Sequence, residues 1–124
     1  MSNEELLHLA FEARERAYAP YSNWKVGAAL LTKQGKVYLG CNIENSGFSA
    51  TVCAERTAFF KAVSEGCRDF AAIAISAKIR SFMRRARSLP TSASSTIRPM
   101  MIEGRSPTIA AIRIVAKTRR NCHL

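Results

Sequence analysis

The 124-residue chain lacks any apolar run that approaches the roughly 20 residues needed to cross a bilayer. Its first five residues are acidic, where a signal peptide would be basic. With no secretory context indicated, we expect its four cysteines to be reduced thiols or metal ligands rather than disulfides. We therefore expect a cytoplasmic protein without a membrane partner. Its 48% hydrophobic content is sufficient for one folded core.

Acidic residues are almost absent from the last third of the chain. Residues 1–77 contain eight Lys or Arg and eight Asp or Glu, whereas residues 78–124 contain eleven bases and the single acid Glu103. The whole net charge of +10 therefore belongs to the second part. We divide the chain into a core, residues 1–77, and a basic tail, residues 78–124. The tail lacks interleaved aromatic residues that stack on bases, having only Phe82, so we do not expect a nucleic-acid partner.

The core begins with one helical and two strand patterns. Ser2 and Glu5 form a capping box for an amphipathic helix of about four turns, which the residue before Pro20 should end. Two short runs, residues 25–31 and 36–40, flank a Gly-containing turn and predict a β-hairpin. The first run is nearly all apolar, which is typical of a strand buried on both faces.

Glycine and apolar patterns predict the rest of the core. Gly27 indicates a close approach of two backbone segments or a β-bulge. A second helix should begin at Cys53 or Ala54 and end near Gly66, and residues 70–75 should form a short buried strand. The order helix, strand, strand, helix, strand predicts an α/β layer with helices packed on a sheet. Residues 109–115 of the tail form one further candidate strand.

Cys53 and Glu55 lie two residues apart where a polar loop turns into this second helix. The positive end of a helix dipole favours anionic groups, and a thiolate is the form of cysteine that binds metal. A thiolate and a carboxylate at one helix start provide part of a zinc hydrolase active site. In such a site the thiolate binds the metal and the carboxylate carries protons for a zinc-activated water. Structural interpretations also stay open, with Cys53 as an inert buried thiol, Glu55 as a carboxylate that complements the dipole, and Arg56 as a solvated cation.

A longer string resembles the cytidine deaminase family of the small, all-cysteine zinc type, over about residues 6–75. The residues that carry the resemblance are Tyr18-Ala19-Pro20-Tyr21-Ser22, Val26-Gly27-Ala28-Ala29-Leu30, Cys41-Asn42-Ile43-Glu44-Asn45, Cys53-Ala54-Glu55-Arg56-Thr57-Ala58 and Lys61-Ala62-Val63-Ser64-Glu65-Gly66. The resemblance implies the three-layer fold of that family, a Zn²⁺ cofactor and a homotetramer with pockets at subunit contacts. It also implies a role in pyrimidine salvage, the hydrolytic deamination of cytidine or deoxycytidine to uridine or deoxyuridine.

The resemblance also implies a role for individual residues. Cys53 matches the first zinc thiolate, and Glu55 matches the general acid/base that moves protons between water, the pyrimidine and the leaving ammonia. The remaining matched positions surround these two. Asn42 and Glu44 match residues that hydrogen-bond the ribose hydroxyls. Ala54 matches a residue whose backbone contacts the base, and Trp24 matches a pocket-lining position that is usually Phe. Arg56 matches a residue that hydrogen-bonds the zinc cysteines.

The chain departs from the family where the other zinc ligands belong. The family has Pro-Cys-Gly-Ala-Cys about thirty residues after its first cysteine, because a catalytic zinc takes three protein ligands. Residues 81–89 contain no thiol, imidazole or carboxylate. We therefore expect a deaminase-like fold that is truncated or altered after the third strand. Cys67 should lie roughly 20 Å along the helix from Cys53, and Cys41 should face away from Asn42, which leaves only Cys122 and His123 as candidates.

We interpret the tail as the product of a reading-frame change near codon 77, since it is rich in Arg, Ser, Pro and Thr and nearly free of acid. Two functions remain open. The first is a cytidine deaminase whose activity is impaired by the missing ligands. The second is a catalytically inactive, deaminase-like remnant in which a basic tail binds polyanions.

Overall fold

The computed structural model of the protein describes residues 1–78 and two later strands, residues 97–100 and 108–114. In chain order the elements are α1 (Asn3–Glu15), β1 (Val26–Thr32), β2 (Val37–Cys41), a 3₁₀ turn (Phe48–Ala50), α2 (Ala54–Ser64), β3 (Phe70–Lys78), β4 (Ile97–Met100) and β5 (Thr108–Ile114). The five strands form one sheet in the order β2-β1-β3-β5-β4. Each neighbouring pair is antiparallel.

The first helix has the predicted start and an earlier end. The Ser2 hydroxyl accepts from the Glu5 N–H at 3.1 Å, and the Glu5 carboxylate accepts from the Ser2 N–H at 2.6 Å, so the capping box is complete. The helix ends at Glu15, before the stop that Pro20 predicted. The cause is a long-range contact. The Tyr18 N–H donates to the Asn42 carbonyl at 3.0 Å, which draws this segment alongside the end of β2.

Strand β1 lies at the centre of the core, and helices cover both of its faces. Ala28 and Leu30 are fully buried in a cluster with residues of α2. Ala29 is fully buried on the opposite face, in a cluster with Leu6 and Ala10 of α1. Because side chains alternate along a strand, this burial confirms that β1 is covered on both sides. The arrangement is an α/β/α three-layer structure.

Two glycines allow the helices to approach the sheet. A Cβ on Gly27 would lie 2.1 Å from the Ala10 carbonyl oxygen of α1, which confirms the predicted close approach. A Cβ on Gly40 would lie 2.3 Å from the Ala54 carbonyl oxygen of α2. Each helix thus rests on a point of the hairpin where only glycine leaves space for its backbone.

The second helix and two of the three described strands after it, β3 and β5, agree with the sequence pattern. Cys53 is the N-cap of α2, and Gly66 follows the helix with a φ of +85°, as its predicted role in ending the helix requires. β3 extends beyond the predicted residues 70–75 to Lys78. The strand predicted at residues 109–115 is confirmed as β5, which pairs with β3. Neither helix in residues 1–78 has both the length and the apolar content that a membrane span requires.

Candidate functional site

Cys53 and Glu55 lie at the N-terminal end of α2, near the edge of the sheet where β2 ends and β1 begins. Cys53 is exposed, and within the described residues its thiol caps no backbone N–H of the helix. Glu55 is half-buried in the first turn. Both groups are therefore accessible from this end of the sheet, and neither is sealed in the core.

Backbone and side-chain bonds fix this helix start relative to β2. The Thr57 hydroxyl lies 2.9 Å from the Cys41 carbonyl oxygen and 3.2 Å from the Cys53 carbonyl oxygen, so it joins the end of β2 to the first turn of α2. Ile43 and Val52 exchange backbone hydrogen bonds of 2.9 and 3.0 Å. The loop between β2 and α2 is therefore closed at its base, which brings the helix start close to the residues after Cys41.

Asn42 is anchored by the segment that leads into β1. Its Oδ1 accepts from the Val26 N–H at 2.8 Å, and its Nδ2 donates to the Trp24 carbonyl at 2.8 Å. Asn42 and Trp24 are half-buried. The Asn42 side chain thus holds Trp24 close to Asn42. The family resemblance matches Trp24 to a pocket-lining residue and Asn42 to a ribose contact.

The Glu44 carboxylate is held from the same segment. Its Oε2 accepts from the N–H groups of Tyr21 at 2.9 Å and Ser22 at 3.1 Å, and its Oε1 accepts from the Ser22 hydroxyl. Hydrogen bonding from the Ser22 hydroxyl, reinforced by the two N–H groups, holds the pKa of Glu44 below its usual range. The structure therefore brings together Trp24, Asn42 and Glu44, which sequence reasoning named separately.

Ser22 is the residue at this site that sequence reasoning missed. The signal available was its place in the polar turn that ends at Trp24, in which Asn23 adopts a positive φ of 52°. Serine in such turns commonly bonds to nearby backbone groups, and the Ser22 hydroxyl accepts from the Trp24 N–H at 3.0 Å. Its second partner, Glu44, is 22 residues away in sequence, so a local pattern gives no sign of it.

Ala54 and Arg56 occupy different environments in the first turn of α2. Ala54 is fully buried against Gly40, so its side chain is not accessible at the helix start. Arg56 is exposed, and with residues 1–78 it forms no ion pair or hydrogen bond. Its predicted hydrogen bonds to zinc cysteines remain a prediction.

The donor groups of residues 1–78 fit part of a zinc site. Cys53 is the position that the family resemblance matches to one zinc thiolate, but these residues contain no cluster of three or more His, Cys, Asp or Glu side chains that would hold a metal ion. The Cys41 thiol donates to the Arg16 carbonyl at 3.5 Å, on the side of the sheet that α1 covers. Cys67 lies beyond the far end of α2, 3.8 Å from the Gln34 amide oxygen. Cys122, His123 and residues 81–89 lie outside the described residues.

Comparison with known sequences connects this site to one family. The family described as "Cytidine and deoxycytidylate deaminase zinc-binding region" matches residues 1–78. The cytidine deaminase of Sporosarcina psychrophila is 60% identical over 75 residues, which are 60% of this chain and 55% of that protein. The cytidine deaminase of Halalkalibacterium halodurans is 57% identical over 75 residues, 60% of this chain and 57% of that protein. The chain thus spans little more than half the length of these relatives.

Solved structures give the same result for the fold. A 1.6 Å crystal structure of cytidine deaminase from Burkholderia pseudomallei matches with a TM-score of 0.63 and 52% identity, over 64% of this chain and 65% of that chain. The crystal structure of cytidine deaminase from Mycobacterium tuberculosis matches with a TM-score of 0.60 and 32% identity, over 69% and 75% of the two chains. These matches confirm the predicted deaminase-like α/β fold and its partial extent.

Proposed function

The chain belongs to the family described as the cytidine and deoxycytidylate deaminase zinc-binding region, and from that premise we propose that it deaminates cytidine or deoxycytidine hydrolytically at a strongly reduced rate. The supporting observation is the position of Cys53 and Glu55 at the start of α2. They lie at the end of the sheet where Asn42 and Glu44 are held by the segment before β1. This arrangement supports a nucleoside site at the helix start.

The proposed chemistry assigns proton transfer to Glu55. Its carboxylate takes one proton from the attacking water and passes it to the ring nitrogen N3. It then takes the second proton of that oxygen and passes it to the departing ammonia, so its charge is restored at the end of the cycle. Asn42 and Glu44 hydrogen-bond the sugar hydroxyls, and Trp24 lines the pocket. The backbone of Ala54 meets the base, which orients the exocyclic amino group for substitution.

Cys53 would supply one thiolate to a zinc site, and zinc, when bound, would act as a Lewis acid that activates a water. We assign Arg56 to the thiolates of this site, where its positive charge would offset their negative charge. A catalytic site takes three protein ligands, whereas after Cys67 the chain contains only Cys122 and His123 as thiol or imidazole donors. The shortage of ligands is the reason that we propose an impaired enzyme.

Turnover by the purified full chain tests this proposal. With added zinc and cytidine, we expect uridine formation far below the typical enzymatic kcat of about 10 s⁻¹. Glu55→Gln should remove it, and Val63→Ala, at an exposed position near the other end of α2, should not. Zinc-dependent turnover at ordinary enzymatic rates would show that the site is complete. Equal uridine formation by the Glu55→Gln chain would show that the activity does not come from this site.

The second candidate function is polyanion binding by the basic tail of an inactive chain. Eleven bases against one acid in residues 78–124 favour it. In that case the chain retains no zinc, forms no uridine and binds RNA with an affinity that falls steeply as salt is raised. Metal content and salt-dependent RNA binding, measured on the same preparation, therefore separate the two functions.

We also propose that the chain assembles as a cytoplasmic homotetramer. Exposed apolar side chains support an assembly, since Phe48 is 92% exposed and Phe60 on α2 is 62% exposed. Sedimentation equilibrium checks the state, with a mass near four times 13.7 kDa expected. A concentration-independent mass of one chain would contradict it.

A further inference from the structure

The Ser22 side chain connects two parts of the proposed nucleoside site. Its hydroxyl donates to Oε1 of Glu44 and accepts from the Trp24 N–H at 3.0 Å. Its backbone N–H donates to the second carboxylate oxygen of Glu44 at 3.1 Å. A hydroxyl has one hydrogen, so the donated bond goes to the carboxylate and the accepted bond comes from the backbone.

These bonds fix the carboxylate in more than one direction. Tyr21 and Ser22 bind Oε2 through two neighbouring N–H groups, while the Ser22 hydroxyl binds Oε1 from the same turn. Contacts to both oxygens oppose rotation of the carboxylate about its last side-chain bond. The Glu44 backbone is fixed too, because its N–H donates to the Tyr18 carbonyl at 2.8 Å. The Glu44 carboxylate is therefore held in one orientation, and so is its remaining capacity to accept a hydrogen bond.

We propose that Ser22 is a positioning residue of the nucleoside site, which sets the Glu44 carboxylate to accept from sugar hydroxyls and ties that carboxylate to the turn carrying Trp24. This inference rests on the proposed function, since it assigns the sugar contact to Glu44. Ser22 itself is placed outside the chemistry and acts through Glu44. A nucleoside whose sugar lacks the 2′ and 3′ hydroxyls cannot donate hydrogen bonds from them to the Glu44 carboxylate. Its binding should therefore be independent of Ser22.

The pKa of Glu44 reports on the same hydrogen bonds. Its pKa is held low by neutral donors, the Ser22 hydroxyl first, while partial desolvation acts in the opposite direction. No charged side chain of residues 1–78 contributes to this shift. Loss of the hydroxyl should therefore raise the pKa of Glu44 toward the usual value of about 4.3.

The first experiment follows the Glu44 carboxyl by carbon-13 NMR during acid titration of the full chain. Ser22→Ala should raise the pKa of Glu44, and Ser22→Thr, which keeps a hydroxyl, should leave it low. Ser64→Ala is the matched control, because the Ser64 hydroxyl also donates a hydrogen bond, to the Lys61 carbonyl in the last turn of α2. An unchanged pKa in the Ser22→Ala chain would overturn the proposal. This readout needs neither zinc nor turnover.

The second experiment compares the dissociation constants of cytidine and 2′,3′-dideoxycytidine for the same four chains. Ser22→Ala should weaken cytidine about tenfold, as expected for a disturbed hydrogen bond to a charged group, and should leave dideoxycytidine unchanged. Ser22→Thr should restore cytidine binding. An equal loss for both nucleosides would overturn the positioning role. If the unaltered chain binds neither nucleoside, the proposed function fails, and the role of Ser22 in a nucleoside site fails with it, whatever the titration shows.

Discussion

Gly40 of β2 lies directly beneath Ala54, the first residue of α2. A Cβ built on Gly40 would lie 2.3 Å from the Ala54 carbonyl oxygen and 2.5 Å from the Ala58 nitrogen. Neither atom can move independently, because both belong to the helix backbone. The height of α2 above the sheet is therefore set by the absence of one side chain. Cys53 and Glu55 lie at the same helix start, so the position of the candidate site depends on this contact.

Gly40→Ala should therefore destabilise the fold and displace the start of α2. Overpacking a closed contact typically costs about 1–3 kcal/mol, and urea denaturation followed by circular dichroism should show a loss in this range. Gly47→Ala is the control, since Gly47 has a φ of −83° and its Cβ would meet nothing closer than the Asn45 Oδ1 at 3.5 Å. Equal stability of the two variants would mean that α2 is free to shift on the sheet.

Thr57→Val should weaken the contact between β2 and α2, because it removes a hydrogen bond while the side chain keeps nearly the same shape. The substitution replaces the hydroxyl that lies 2.9 Å from the Cys41 carbonyl oxygen with a methyl group. We expect a loss of about 1 kcal/mol in the free energy of unfolding, the usual contribution of one hydrogen bond. Thr57→Ser keeps the hydroxyl and should retain most of the stability. If the valine chain is as stable as the serine chain, the hydroxyl does not stabilise this contact.

Local signals were sufficient to predict the elements that place Cys53. The polar loop before an apolar helical run predicted the start of α2, and Gly66 predicted its end. Gly27 indicated a close approach or a bulge, and the structure shows the close approach. The start and end of α2 depend on residues within a few positions of the sequence pattern that predicted them. The close approach at Gly27 is a steric requirement that the glycine itself indicates.

Contacts between distant residues account for what the sequence could not predict. The bonds from Asn42 and Glu44 to Val26 and to the segment before it span 16 to 23 residues and depend on the register of the hairpin. The early end of α1 has the same origin, in the bond from Tyr18 to Asn42. Strand β4 was not predicted. It contains Pro99, which is tolerated because β4 is the last strand in the sheet order.

Acid should weaken the fold in the range where three carboxyl groups titrate. The pKa values of Glu5, Glu44 and Glu65 are lowered, chiefly by bonds from the Ser2 N–H, the Ser22 hydroxyl and the Lys36 ammonium, respectively. A group whose pKa is lower in the folded state stabilises that state above its unfolded value, about 4.3 for Glu. The stabilisation is lost as pH falls through the folded values. Urea midpoints should therefore be constant from about pH 7 to 5 and should fall below about pH 4.

The share of one ion pair in this acid response can be isolated with Glu65→Gln. The Lys36 ammonium lies 2.6 Å from the Glu65 carboxylate, and both side chains are more than 45% exposed, so the pair should contribute little. The variant should have a slightly lower urea midpoint than the unaltered chain at pH 6. The two midpoints should approach each other at pH 3, because Glu65 is increasingly protonated as the pH falls. A constant difference between the two chains at both pH values would exclude titration of Glu65 as its cause.

The coding sequence should explain the basic tail. We propose that the reading frame changes near codon 77, since residues 78–124 are rich in Arg and nearly free of acid. Met83-Arg84-Arg85 can be encoded by ATG-CGG-CGC, which read one base later contains TGC-GGC, the codons for Cys-Gly. Position 83 is thirty residues after Cys53. The resemblance to the family places the Pro-Cys-Gly-Ala-Cys motif in this region.

Sequencing the gene should therefore reveal a Cys-Gly-Ala-like run in a neighbouring frame. A chain translated from that frame after residue 77 regains two thiols, so it should bind one zinc per chain, measured by atomic emission, and form uridine at ordinary enzymatic rates. Its Cys53→Ala variant should lose the zinc and serves as the control. If neither neighbouring frame encodes two cysteines in this region, the tail is the inherited sequence, and the missing ligands have a different origin.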